Sequence, residues 1–196
     1  MKKLFMITLL ATSIYLVLKT EEPMEILPAI IQKQENVPLL VKPNRVYKKE
    51  VSPWDKMFAR VKHYESFKSE AYRCSGGVMT IGYGHTKNVK WGDTITEAEA
   101  LKLLEEELLV AKNHVLRIVK VPLTENQLAS LTSFTFNCGQ GSLRKLVCEK
   151  KNRLNNGNYK SVEVVMPQYR MAAGKIRKGL ERRRKWEVSL WLDKTL

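Results

Sequence analysis

The clearest periodicity in the chain lies between residues 98 and 118. There Ala98, Leu101, Leu104, Leu108, Ala111, Val115 and Ile118 recur at steps of three and four. That spacing lines one face of an α-helix. Thr96 followed by Glu99 is a capping box at its start, and Pro122 stops it, which predicts a helix of about 22 residues. A second box, Thr124 to Gln127, opens another helix running to about Phe136. Upstream, Met57, Val61 and Tyr64 predict a helix over Trp54 to Phe67, with Glu65 near its C-terminal end. Between that helix and the long one the pattern changes. Tyr72, Val78, Met79, Ile81 and Tyr83 are punctuated by Gly76, Gly77, Gly82 and Gly84, four of the ten glycines in the chain. Short strands and tight turns follow, most simply a hairpin. The rest reads as shorter helices broken at Gly139 to Gly141, Gly157, Pro167 and Gly174. The expected architecture is α+β, a small antiparallel sheet near the start and a mostly helical body.

The first 52 residues do not share this pattern. Lys2 and Lys3 precede an uncharged run of 15 residues, Leu4 to Leu18. Positive charge before a short apolar stretch marks an export segment. It is short for a membrane span, which takes about 20 residues. No small-x-small cleavage site follows it, so residues 1–18 read as a signal-anchor or a signal peptide. With the lysines inside, the rest of the chain lies outside the inner membrane. Residues 19–52 hold Pro23, Pro28, Pro38 and Pro43, four of the seven prolines, with no sustained period. They read as a tether, and residues 53–196 as one domain.

Charge narrows the choice of partner. Lys+Arg number 34 against 20 acids, a formal +14. Such a field draws a protein towards a polyanion: nucleic acid, a membrane surface or a bacterial envelope. The segment KIRKGLERRRK, residues 175 to 185, holds seven basic residues and one acid. It reads as a solvated helix face or as a patch that lies on an anionic polymer. Zinc-finger spacing, an aromatic RNA-binding signature and a basic region with heptads are all missing, so no nucleic-acid partner is expected. No phosphate loop or metal-ligand cluster is present either, so neither a cofactor nor a metal is expected.

The chemistry concentrates in HYESFKSEAYRCSGGVMTIGYGHT, residues 63 to 86. A carboxylic acid at a helix end among apolar neighbours can act as a general acid. Cleavage of a glycosidic bond needs such an acid, and a second group to position water or stabilise the sugar cation. Glu65, then Cys74 nine positions on, then Thr80 six further, lead directly into Ile-Gly-Tyr-Gly-His-Thr. This arrangement resembles the phage-type lysozymes, the muramidase endolysins of bacteriophages. Their motif is a Glu, then Asp or Cys, then Thr, ahead of a Gly-x-Gly-His segment. Two further blocks, LTENQLASLTSFTFNCGQGSLR and AAGKIRKGLERRRKWEVSLW, are similar to the family's later segments and follow in family order.

The resemblance implies a lysozyme-like fold with a cleft between a hairpin lobe and a helical lobe. It implies cleavage of the β-1,4 bond between N-acetylmuramic acid and N-acetylglucosamine in peptidoglycan, for host lysis. Glu65 would be the acid, with Cys74 and Thr80 holding the attacking water. Gly82, Tyr83, Gly84 and Asn137 would meet the glycan. His85 would pair structurally with an acid on the long helix, here Glu107. Many members carry Asp where this chain has Cys74, and a thiol is the weaker hydrogen-bond partner. A Cys74–Cys138 disulfide would then hold the enzyme inactive, against the simpler reading that Cys138 and Cys148 are small buried residues. A non-catalytic peptidoglycan-binding protein of the same fold is the alternative function. The expected setting is a monomer on the periplasmic face of the inner membrane, tethered through residues 4–18 or released.

Overall fold

A computed structural model describes residues 50–74 and 76–194. The expected leader and most of the tether lie outside the described residues. Helix α1 spans Pro53–Glu65. The Ser52 hydroxyl accepts from the Asp55 N–H, and Pro53 occupies the first turn, where its missing N–H is not needed. The helix stops at Ser66, which takes φ 55°. Strand β1, Lys68–Arg73, pairs antiparallel with β2, Met79–Gly82, with Tyr72 opposite Thr80. The hairpin therefore begins four positions before the apolar pattern does, because β1 is mostly exposed and leaves little hydrophobic signal.

Helix α2, Glu97–Ile118, forms its capping box in full and buries Ala100, Leu104, Leu108, Ala111, Val115 and Ile118. Helix α3, Glu125–Val147, has a complete box as well. Its path breaks at Gly139, whose φ of 77° lies outside helical space, and then resumes as far as Val147. The end expected near Phe136 is thus a kink followed by a further helical stretch. Short turns at Leu154–Asn156 and Met166–Gln168 flank α4, Lys160–Val165. A second hairpin, β3 Met171–Ala172 with β4 Lys175–Ile176, turns through Gly174 and leads into α5, Lys178–Trp191. This hairpin was not expected from the sequence. Its strands are two residues each, too short to show alternation.

Two apolar clusters hold these elements. One joins α1, the end of the first hairpin and the front of α2 through Met57, Val61, Tyr83, Leu104 and Leu108. The other gathers Val115, Leu131, Phe134, Leu143, Leu146 and Trp191 beneath α3 and α5. Helix α2 runs through both. Gly82 shows why a glycine is needed at the end of β2. Its φ is 64°, and a Cβ there would stand 3.0 Å from the Ala100 Cβ. The sheet packs directly on α2 at that point.

Candidate active site

Glu65 is the last residue of α1 and is partly exposed. Its Oε1 accepts a hydrogen bond from Arg183 Nη1 of α5 at 2.5 Å. Arg183 is itself buried, 3% exposed, and sits over the rings of Tyr64 and Phe136. Behind it lies Glu187, fully buried at 0%. Glu187 Oε1 accepts from Ser133 Oγ at 2.7 Å, from Arg184 Nη2 at 2.9 Å and from Arg183 Nε at 3.3 Å. Its Oε2 lies 2.7 Å from Arg184 Nε, but off the line of a hydrogen bond, so that contact is Coulombic. Burial pushes the Glu187 carboxyl up, and the Arg184 and Arg183 guanidiniums oppose the shift. Two arginines thus face two carboxylates in a closed network.

Two grooves meet at this carboxylate. One, of about 420 Å³, is lined by Glu65, Gly84, Glu107, His114, Asn137 and Gln140 among others. The second, of about 440 Å³, is lined by His63, Tyr64, Glu65, Asn137, Arg177 and Arg182, with Arg183 behind. Glu65 and Asn137 belong to both, so the grooves form one cleft with the carboxylate in the middle. Gly84 brings backbone close to it: a Cβ there would lie 3.6 Å from Glu65 Oε2. Asn137 turns its Oδ1 to Arg184 Nη2 at 2.9 Å, which fixes the amide at the cleft wall. The other carboxylate in the cleft is taken. Glu107 Oε1 stands 2.7 Å from His85 Nδ1, while His85 Nε2 faces the Lys87 carbonyl at 2.9 Å. Both ring nitrogens are engaged, which leaves none to act as a base.

Cys74 and Thr80 adjoin each other at the turn end of the first hairpin, and neither lines the two grooves. The Cys74 N–H donates to the Val78 carbonyl at 2.9 Å, and Thr80 Oγ1 donates to the same oxygen at 3.0 Å. Hydrogen bonds to the thiolate from the backbone of Val78 first, then of Gly76, and from the Thr80 side chain, hold the Cys74 thiol below its ordinary range. Thr80 has a single proton, so the Val78 oxygen and the thiolate compete for it.

Three expectations need correction. Tyr83 does not face a ligand: it is 3% exposed, and its hydroxyl donates to Glu97 Oε1 at 2.8 Å. It sits in the turn after β2, where its ring packs against Phe67 and joins the cluster of Met57, Val61 and Leu104. Gly82 serves close packing on Ala100 rather than approach to a sugar. All three cysteines are free thiols in this structure, and Cys148 is exposed rather than the small buried residue of the simpler reading. The Cys138 sulfur sits 2.6 Å from Arg184 Nη1, and burial raises its pKa against the pull of that guanidinium.

Arg183, Arg184, Glu187 and Ser133 were missed as site residues. The basic run 175 to 185 reads as a solvated helix face or a patch on an anionic polymer, yet Arg183 and Arg184 are interior, while Lys175, Arg177, Lys178, Arg182 and Lys185 are exposed. The signal that could have found them is Glu187, placed four and three positions after the two arginines.

A two-lobed α+β fold with a carboxylate at mid-cleft, held by Arg183 through one oxygen, defines a glycoside hydrolase of the lysozyme class. The phage lysozyme family model matches residues 62–187, and the chain belongs to that family. It is an endolysin-type muramidase. The endolysin of Acyrthosiphon pisum secondary endosymbiont phage 1 is 37% identical over 105 residues, covering 54% of this chain and 70% of that one. The SAR-endolysin of Bacteriophage PS119 is 35% identical over 130 residues, covering 65% and 77%. Among solved structures, the endolysin from Escherichia coli O157:H7 phage FAHEc1 superposes with a TM-score of 0.63 at 30% identity, covering 74% of this chain and 95% of that one. The muramidase domain of SpmX from Asticaccaulis excentricus gives 0.62 at 30% identity, covering 70% and 95%.

Proposed function

We propose that Glu65 protonates the glycosidic oxygen between N-acetylmuramic acid and N-acetylglucosamine. The observation that carries this is the position of its carboxylate where the two grooves meet. Arg183 claims Oε1, so Oε2, on the Gly84 side, is the oxygen that delivers the proton to the leaving group. The guanidinium fixes the carboxyl geometry, so little orientation remains to be found in the transition state. As the C–O bond breaks, positive charge develops on the sugar ring and water adds at the anomeric carbon. Cys74 and Thr80, the neighbouring residues at the turn end of the first hairpin, are assigned that water by their places in the Glu–Cys–Thr motif. Asn137 and the backbone at Gly84 position the glycan.

The setting belongs to the same reading. Residues 4–18 tether the chain to the inner membrane with the enzyme on the periplasmic face, supported by the SAR-endolysin names of several relatives. The enzyme acts as a monomer on peptidoglycan, without nucleic acid, and its positive charge holds it to the anionic envelope. The test is turbidity clearing of purified peptidoglycan by the natural chain and by Glu65→Gln. Clearing with new reducing muramic-acid ends by the natural chain, and none by the variant, is the expected result. Equal clearing by both removes Glu65 from the reaction.

A further inference from the structure

Glu187 of α5 is wholly buried and lines neither groove of the cleft. Ser130 Oγ of α3 donates to its backbone carbonyl at 2.7 Å, and Ser133 Oγ, one turn on, donates to its Oε1 at 2.7 Å. Two guanidiniums complete the surroundings. Arg184 Nη2 donates to Oε1 at 2.9 Å and Arg183 Nε at 3.3 Å, with Arg184 Nε 2.7 Å from Oε2. Burial alone would neutralise such a group. A neutral Glu187, however, would leave Arg184, also wholly buried, with no counter-charge among the described residues. Glu187 is therefore held as a carboxylate.

Each arginine carries that anchor to the cleft. Arg183 has Nε on Glu187 and Nη2 on the Ser133 carbonyl at 3.4 Å, which leaves Nη1 to donate to Glu65 Oε1. Arg184 shares Nη2 between Glu187 Oε1 and Asn137 Oδ1, 2.9 Å from each, and sets Nη1 against the Cys138 sulfur. A guanidinium is a rigid fork, so holding one of its nitrogens restricts the others. Glu65 and Asn137 are the two residues that line both grooves. They come from different helices, α1 and α3, and one buried carboxylate stands behind both.

Given Glu65 as the acid, we propose that Glu187 is a positioning residue of the reaction: through Arg183 and Arg184 it sets the Glu65 carboxyl and the Asn137 amide at one fixed separation across the cleft. It also balances charge. Without the Glu187 carboxylate, both guanidiniums act on Glu65 alone. That favours the ionised form of Glu65, which has no proton to deliver. The other charged or titratable groups lining the cleft around Glu65 are Arg177 and Arg182 from the α5 side, Glu107 and His114 of α2, and His63 and Tyr64 of α1. None of them hydrogen-bonds to Glu187, so a change there leaves their contacts in place.

The test is the rate of reducing-end release from peptidoglycan by the full chain and by Glu187→Gln, across a pH series, with folding checked by Tm. The variant is expected to lose kcat about tenfold or more, as the acid and the amide lose their common anchor. The alkaline limb of its kcat/KM profile, where the acid loses its proton, is expected to move about one unit or more towards low pH. A folded Glu187→Gln enzyme with natural kcat, or one whose limb does not move, overturns the proposal. The double variant Arg184→Met, Glu187→Leu decides the matter where the single one does not fold, since apolar replacement of a whole buried pair is well tolerated. It restores the charge balance at Glu65 but not the anchor, so the limb should return while kcat stays low. Natural kcat in the double variant overturns the proposal as well. Glu65→Gln is run beside both. Activity kept by Glu65→Gln removes the acid that Glu187 would orient. Activity lost there and kept by Glu187→Gln removes the positioning role alone.

Discussion

Arg183 reaches Glu65 across 118 positions of the chain and closes to 2.5 Å. The pair joins the last residue of the first helix to the interior of the last. Arg183→Met leaves the Glu65 carboxylate without its partner and unbalances the network around Glu187. Breaking a buried pair by removing one member costs about 3–5 kcal/mol. We expect a loss of that order in chemical denaturation, with kcat falling about tenfold or more as the acid loses its orientation. Arg183→Lys keeps the charge but not the fork and should fall between. Unchanged kcat in a folded Arg183→Met enzyme would show that the contact only stabilises.

The two partly buried thiols should differ in reactivity. Cys74 is held below its ordinary range and Cys138 above it. The thiolate is the reacting form, so at neutral pH iodoacetamide should label Cys74 ahead of Cys138. The labelling midpoint of Cys74 should lie on the acid side of that of Cys138. Peptide mapping by mass spectrometry across a pH series reads both at once. The sign also fixes a stability effect. A depressed folded pKa stabilises the fold above the unfolded thiol pKa, and that contribution is lost as pH falls through the folded value. Faster labelling of Cys138 would contradict the packing around Arg184.

Two glycines should separate folding from catalysis. Gly82→Ala puts a methyl 3.0 Å from the Ala100 Cβ at φ 64°, and should cost at least about 1–2 kcal/mol from the left-handed backbone alone. Gly84→Ala carries similar backbone strain at φ 93° but places its methyl beside Glu65 Oε2. Thermal melts should show a loss for both. Activity per folded molecule should drop only for Gly84→Ala.

His85→Ala tests the reading of the histidine as structural. It leaves Glu107 without its 2.7 Å partner and frees the Lys87 carbonyl. A cost of about 1–3 kcal/mol is expected in denaturant melts, with kcat changed less than tenfold. A hundredfold loss of kcat with little loss of stability would make His85 a participant in the reaction.

Local chemistry wrote much of this protein into its sequence. The heptad-like spacing from Ala98 to Ile118 and the two capping boxes set α2 and the start of α3, because period and caps act within a few residues. The block from Glu65 to Thr86 carries the class of reaction, and it contains the carboxylate that stands at mid-cleft. Packing between distant segments decided the rest. Burial turned Tyr83 and Gly82 from a glycan surface into core, a choice set by which face of β2 meets α2. The arginines of the closing block look alike in sequence. Only the approach of α5 to α1 and α3 made Arg183 and Arg184 interior and left Arg182 and Lys185 in water. Desolvation depends on neighbours that lie far away in the chain, and no local pattern carries that information.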